Sequence, residues 1–274
     1  MPPEERFANL PDLRLHYLDW GGGGPPLICL HGAGGNARNW EGVGEALQDQ
    51  FRVIALDQRG HGQSDSPATG YEPTSLAADL LAFADALGLE RFNLLGHSMG
   101  ARASIAFGGL SSHRLIRLVL SDPPHYPVED VLARELASGP NRPRRLPSRQ
   151  AAADHLRQTL PDGPSLSDQE VEARLSTQMR EEPDGSYTWR VDVPGLLQAM
   201  TFLLGDMRWF FPRIAVPTLV LHGVRSHLLT VEDARRTADA IPNATLVEIP
   251  DAGHGTYRDN PQAFLAAVRG FLVA

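Results

Sequence analysis

Asn93-Leu94-Leu95-Gly96-His97-Ser98-Met99-Gly100 is the stretch that decides how this chain folds. Apolar Phe92, Leu94 and Leu95 have the character of a buried strand end, and Ala101, Ala103, Ile105 and Ala106 resume at helix-friendly composition just after Gly100. Between them stands Gly-x-Ser-x-Gly. A serine pinched between strand end and helix start takes a strained backbone conformation and pushes its hydroxyl clear of the sheet. The residues two before and two after must be small, because strand and helix pass close there. Ser98 is therefore expected at a helix N-terminus, where the N–H of Met99 can face a developing oxyanion. The bland alternative, a serine that merely ends a strand, is disfavoured by the strand before it and the helix after it.

On either side the same rhythm continues. Residues 7–20 alternate apolar and polar, which predicts an antiparallel strand or hairpin, and four glycines from Gly21 followed by Pro25-Pro26 break it. Leu27-Ile28-Cys29-Leu30 reads as a buried strand that runs into His31-Gly32-Ala33-Gly34-Gly35, a loop whose backbone must approach something closely. A helix over 37–47, a strand over 51–56 and a helix over 73–87 follow, with Gly88 as a stop. The strand at 115–120 ends in Ser121-Asp122-Pro123-Pro124. Strand and helix in regular succession predict a parallel sheet with helices on both faces, and the chemistry of such sheets sits at the carboxyl ends of the strands.

Residues 123–212 interrupt the pattern with scattered prolines and an arginine cluster at Arg142, Arg144, Arg145 and Arg149. Helical patches at 128–137, 148–158, 167–180 and 195–204 make this a helical cap over the strand ends. Ser167 and Glu170 form a capping box. The arginines read as a solvated loop rather than an anion site. The expected division is a core of 1–122 and 213–274 with the cap at 123–212. After it come a strand at 218–221, a helix at 231–240, a strand at 244–249 and a closing helix at 261–272.

The chain has 274 residues, 42% hydrophobic and 21% charged, enough for one large α/β domain with an insertion. Its net charge of −8, with every basic residue an arginine, argues against nucleic acid as a partner. Cys29, the single cysteine, lies in an apolar run and is expected to be a buried structural thiol. Neither a signal peptide nor a membrane span is expected, and a cytoplasmic location fits. No cluster has metal-ligand spacing and no dinucleotide fingerprint follows a strand, so no cofactor is expected.

Four motifs now stand in order: His31-Gly32 after a strand, Asp57-x-Arg59-Gly60-His61-Gly62-x-Ser64, Gly96-x-Ser98-x-Gly100, and Asp251-Ala252-Gly253-His254 before the final helix. Together they resemble the α/β-hydrolase fold superfamily, in its order and spacing, across nearly the whole chain. The resemblance implies an eight-stranded, mostly parallel sheet and a nucleophile, acid and histidine triad. Serine as nucleophile sets the chain apart from the dehalogenases and epoxide hydrolases of that fold. A serine hydroxyl needs a base within reach. His254, in a Gly-rich turn after the last strand, matches the family's catalytic histidine.

The family's acid usually follows the strand represented by 218–221, but there this chain reads His222-Gly223-Val224-Arg225-Ser226-His227, with Ser226 in the aspartate's place. Asp122, at the carboxyl end of the preceding strand, can supply the charge that orients the imidazole. Asp233 and Glu232 are the alternatives, and a turn-capping role is the plain reading of Asp122. The oxyanion hole is assigned to the backbone N–H groups of Ala33 and Met99. His31, Gly32, His97 and Trp40 are assigned to the substrate site, His31 and His97 as residues that shape it. Tyr126, Trp189, Phe202 and Trp209 are further apolar lining candidates. The segment 57–64 reads as structural.

These readings lead to a serine hydrolase of a small carboxylic ester, or an amide or thioester. A second reading is carbon–carbon bond cleavage or cofactor-free ring opening with His254 and Asp122 as the working pair. A third, outside enzymes, is a ligand sensor with a slow triad.

Overall fold

The apolar runs become the strands of one sheet. In a computed structural model, which describes residues 1–124, 143–159 and 166–274, the sheet is built from β1 (Glu4–Asn9), β2 (Arg14–Asp19), β3 (Pro26–Leu30), β4 (Arg52–Leu56), β5 (Phe92–His97) and β6 (Leu115–Ser121), with two later strands. Those are β10 (Thr218–Gly223) and β11 (Ala244–Ile249). The eight strands stand in the order β1-β2-β4-β3-β5-β6-β10-β11. β1 and β2 form an antiparallel hairpin and β2 pairs antiparallel with β4; all the other pairings are parallel. Strand order reverses at β3, so a crevice is expected at the carboxyl ends of β3 and β5.

Both faces of the sheet are covered, which is why a central strand such as β3 is apolar without a gap. Along β3, Leu27 and Cys29 enter one core layer while Ile28 and Leu30 enter the other. The first layer also takes Val43 and Leu47 of α1 (Glu41–Leu47). The second takes Leu76, Leu80 and Phe83 of α2 (Pro73–Ala86) and the buried side of α3 (Met99–Ser111). The closing helix (Pro261–Val273) puts Phe264, Val268 and Leu272 at four-residue spacing on the α1 side. Each such buried side chain contributes roughly 1.5–3 kcal/mol. Cys29 is fully buried, and burial pushes its thiol pKa up.

Between β6 and β10 the chain leaves this sheet. The described part of that insert contains β7 (Arg145–Leu146), α4 (Arg149–Thr159), α5 (Asp168–Gln178), β8 (Met179–Glu181), β9 (Tyr187–Trp189) and α6 (Val193–Thr201). The Ser167–Glu170 capping box starts α5. The expected helix at 128–137, with Tyr126 and Arg142, lies outside the described residues. The helical patches expected at 148–158, 167–180 and 195–204 correspond to α4, α5 and α6, and a small antiparallel sheet β7-β9-β8 joins them. Strands of two or three residues are too short to show a period of two. The signal that marks the hairpin is Asp184-Gly185, with Gly185 at φ +80°. Of the arginine cluster, Arg145 pairs with Asp184 at 2.5 Å and Arg149 with Glu172, both on the surface.

One buried cation ties the insert to the core. Arg102, 1% exposed, lies one turn into α3 and donates to the carbonyls of Pro124 (2.7 Å), Phe202 (2.6 Å) and Gly205 (2.7 Å). Burial lowers its guanidinium pKa to about 10. After β10 the chain adds α7 (Val231–Ala240) before β11, and α8 (Thr256–Asp259) before the closing helix, α9.

Candidate active site

Ser98 stands between β5 and α3 with φ 53° and ψ −117°, a conformation that costs a non-glycine residue about 1–3 kcal/mol. The surroundings force it. A Cβ on Gly96 would meet Ser104 Oγ at 2.3 Å and the carbonyl oxygen of Gly100 at 2.4 Å. One on Gly100 would meet the carbonyl oxygen of Leu30 at 2.4 Å. Met99 begins α3, so its N–H precedes the first intrahelical acceptor.

Asp122 closes β6 at φ 47° and is completely buried. Its Oδ2 accepts from His254 Nδ1 at 2.7 Å and from the hydroxyl of Ser226 at 2.6 Å, and Oδ1 accepts from the N–H of Gly223 at 3.0 Å. His222 Nδ1 is 3.5 Å from Oδ1, at the outer limit of a hydrogen bond, which makes it an electrostatic neighbour more than a full partner. Burial works against the carboxylate's charge, but His222, His254 and Ser226 together outweigh it and hold the pKa down at about 2. A charged acceptor on Nδ1 fixes the His254 tautomer and leaves Nε2 with its lone pair. Asp233 and Glu232, the alternative acids, sit in the first turn of α7, where Asp233 accepts from the hydroxyl and caps the start with Thr230.

The loop after β3 is pressed against Ser98: a Cβ on Gly32 would lie 3.0 Å from Ser98 Cβ. Histidines fasten it from behind. His31 Nδ1 donates to the Gly32 carbonyl (2.8 Å) and its Nε2 accepts from the N–H of Gln58 (3.1 Å). His61 Nε2 accepts from the N–H of Gly34 (3.2 Å). Burial lowers the pKa of both rings, His61 to about 3, so both are neutral acceptors. The segment that contributes His61 is itself built around Asp57, which takes His16 Nδ1 (2.7 Å) and the N–H groups of Ala37 and Gln63.

A cavity of about 500 Å³ opens on this arrangement, and Ser98, His254, His97, Gly32 and Ala33 all line it. His97 packs against His254 with ring centroids 4.7 Å apart and donates from Nδ1 to the Ser121 carbonyl. Burial, then the neighbouring His254, pushes its pKa well down. Two expected contacts are corrected. Trp40 is 0% exposed and packs against Tyr257 (4.8 Å between ring centroids) in the core beneath the cavity. His31 has both ring nitrogens engaged by backbone and faces the loop rather than the cavity. Trp189 is held inside the insert by the Pro143 carbonyl, and Phe202 and Trp209 are exposed.

Sequence reasoning missed Asn39, Arg174, Gln178, His227, Tyr257, Arg258 and Asp259, which also line the cavity. Asn39 is the neighbour of Trp40 on a 3-10 turn, and only the turn's orientation decides which of the two faces inward. Among the described residues there is no group of side chains that could hold a metal ion, and no helix is long and apolar enough to cross a membrane.

The chain is 33% identical over 267 residues to N-formylmaleamate deformylase of Pseudomonas putida, covering 95% of this chain and 93% of that protein. It is 27% identical to 2-hydroxy-6-oxo-6-(2'-aminophenyl)hexa-2,4-dienoic acid hydrolase of Metapseudomonas resinovorans, over 98% of this chain and 90% of that one. Among solved structures, E-2-(acetamidomethylene)succinate hydrolase superposes with a TM-score of 0.90 at 25% identity, covering 99% of this chain and all of that one. These relatives are hydrolases, and the family profile described as the alpha/beta hydrolase fold matches residues 25–261, so this chain belongs to the alpha/beta hydrolase family and is an enzyme of the hydrolase class.

Proposed function

We propose that this hydrolase cleaves a small carboxylic-acid derivative, an ester or an amide, through a covalent acyl-enzyme on Ser98. The observation that carries the reading is the 2.7 Å contact between His254 Nδ1 and the buried Asp122, with the His254 ring on the cavity that Ser98 lines. Ser98 Oγ attacks the carbonyl carbon and its proton passes to His254 Nε2. Asp122 stabilises the imidazolium that results. The N–H groups of Ala33 and Met99 receive the charge that develops on the carbonyl oxygen. The tetrahedral species collapses as His254 returns the proton to the leaving oxygen or nitrogen. Water then attacks the acyl-enzyme with His254 as base, releasing the acid and restoring Ser98. The insert, through α5, roofs the cavity and sets its shape.

The relatives' names favour acyl–nitrogen bonds alongside esters, since a deformylase and an acetamido-compound hydrolase stand among them. The hexadienoic acid hydrolase supports a second reading, cleavage of a carbon–carbon bond, in which His254 and Asp122 move a proton on the substrate and Ser98 is secondary. Ser98→Ala assayed with 4-nitrophenyl butyrate separates the two. A loss of about 10⁴-fold or more in kcat, with no burst of acyl-enzyme, is expected. Undiminished turnover, still abolished by His254→Ala, moves the assignment to the second reading.

A further inference from the structure

We propose that Asn39, Gln178 and Tyr257 form a recognition site for an uncharged amide group of the substrate, apart from the bond that is cut. Beside the 500 Å³ reaction cavity lies a second hollow of about 340 Å³. Ser98 and His254 line only the first, whereas apolar Val43, Ala173, Pro261 and Leu265 line only the second. Five residues line both, so they mark where the two spaces adjoin: Asn39, Arg174, Gln178, Tyr257 and Arg258. The two arginines are already engaged within the protein, Arg258 through Asp259 Oδ1 at 3.3 Å. The other three are neutral and have hydrogen-bonding atoms to spare.

Donor and acceptor rules fix how Asn39 stands. Its Oδ1 accepts from the N–H of Asn36 at 2.7 Å, and a Cβ on Gly35 would lie 2.5 Å from the same oxygen. Only the carbonyl end of a carboxamide can meet an N–H, so Nδ2 is turned away from that loop; among the described residues it has no partner. Gln178 closes α5 of the insert on the other side. Its backbone carbonyl accepts from the N–H of Arg190 at 2.8 Å, while its side-chain amide has no partner among the described residues. The Tyr257 ring is held by Trp40, His97 and Phe264, at 4.8, 5.1 and 6.2 Å between centroids. Burial raises its pKa, so the hydroxyl stays protonated and neutral. Neutral donors and acceptors in a partly desolvated wall are best satisfied by a neutral amide, which spares the cost of stripping water from an ion. Asn39 Nδ2 donates to the substrate's carbonyl oxygen, the Gln178 carbonyl accepts from its N–H, and the apolar hollow beyond takes an alkyl end. Solvation of the three groups by water alone is the plain alternative. It predicts no preference among substrate tails.

The kinetic arm of the test rests on the acyl-enzyme reading; the binding arm does not. Three 4-nitrophenyl esters of matched length, the 4-acetamidobutyrate, the 6-methylheptanoate and the hydrogen adipate, differ in having an amide, an alkyl branch or a carboxylate at the same place. Wild-type protein is expected to prefer the amide ester to both others in kcat/KM. Asn39→Asp keeps an acceptor for the Asn36 N–H and removes the donor, and Gln178→Met keeps the length and removes the amide. Each is expected to cut the preference for the amide ester over the alkyl ester by roughly 5- to 30-fold, as loss of one desolvated hydrogen bond predicts. Arg180→Gln, on an insert arginine paired with Glu182 away from the cavity, serves as the control that keeps it. Independently, the Ser98→Ala protein is titrated with N-butylacetamide and followed by NMR. The side-chain NH₂ resonances of Asn39 and Gln178, identified by their loss in Asn39→Asp and Gln178→Met, should shift, and acetate at the same concentration should leave them in place. No preference for the amide ester in wild type, a preference that survives both substitutions, or resonances that acetate moves as far as N-butylacetamide does, overturns the proposal. If Ser98→Ala hydrolyses all three esters at the wild-type rate, the nucleophile assignment falls, and the NMR comparison still decides the amide site.

Discussion

His16 Nδ1 lies 2.7 Å from Asp57 Oδ2, and His254 Nδ1 lies 2.7 Å from Asp122 Oδ2, so internal distance does not distinguish the two pairs. Both carboxylates are buried, with side-chain exposures of 3% and 0%. What separates the pairs is the far side of each ring. His16 is 3% exposed, and its Nε2 faces Gln63 at 3.4 Å and Glu5 at 3.8 Å. His254 is 19% exposed and borders the cavity that contains the Ser98 side chain. A hydrogen-bonded histidine and aspartate thus brace the scaffold in one place and, in the mechanism proposed above, handle a proton in the other. Access to a reactant makes the difference.

The largest test of that contrast exchanges charge for amide at each aspartate. Asp122→Asn is expected to lower kcat/KM for an activated ester by about 10³–10⁴-fold, because the imidazole loses both its fixed tautomer and its counter-charge. Asp57→Asn is expected to act on stability, lowering the free energy of unfolding by about 3 kcal/mol as a buried, hydrogen-bonded charge is removed. Steady-state kinetics beside urea unfolding read the two effects, and equal kinetic losses at both sites would erase the distinction.

Acid sharpens the comparison next. The Asp122 carboxyl is held at about 2 in the folded chain, below the ordinary aspartate value, so the unfolded chain binds its proton first as pH falls. Its contribution, about 2 kcal/mol, is full above pH ~4 and is lost as pH drops through 2. Asp57 is depressed too and acts in the same direction. His61 begins the decline earlier. Burial keeps it neutral down to about pH 3, whereas the unfolded imidazole takes up a proton from about pH 6.5 downward. Denaturant unfolding at stepped pH should show stability falling from about pH 6.5, and His61→Gln should flatten the part between 6.5 and 4. A slope that His61→Gln leaves intact would mean its burial is not what the acid limb reports.

The smallest expected effect belongs to Ser226. Removing its hydroxyl from Asp122 Oδ2 in Ser226→Ala deletes one of the hydrogen bonds around the carboxylate, worth about 1 kcal/mol and a roughly fivefold fall in kcat. Unchanged kinetics would mean that His254 and Gly223 are enough to seat the aspartate.

Much of this was legible in the amino-acid sequence because the central strands are buried on both faces and the turn at Ser98 allows few residue types. The succession of elements, the strained Ser98 and the aspartate at the end of β6 all follow from local composition and order. Three kinds of information were not local. Which of Asn39 and Trp40 faces the cavity depends on the rotation of one short turn. The role of His31 depends on Gln58, which is distant in the chain. That Arg174 and Arg258 line one cavity depends on where α5 of the insert lies relative to the turn after β11, and no periodicity within either segment encodes that. The polar segment 57–64 shows the converse, since density of chemistry-bearing residues marked a scaffold.

The clasp at Arg102 bears on how anything enters. Its three acceptors lie at the two roots of the insert, and Arg102 itself follows Ser98 by one helical turn. Swinging the whole insert away like a door would strand a buried cation without acceptors, at a cost of about 3–5 kcal/mol. Opening the insert at those two roots is therefore costly, and the described contacts favour its staying moored there.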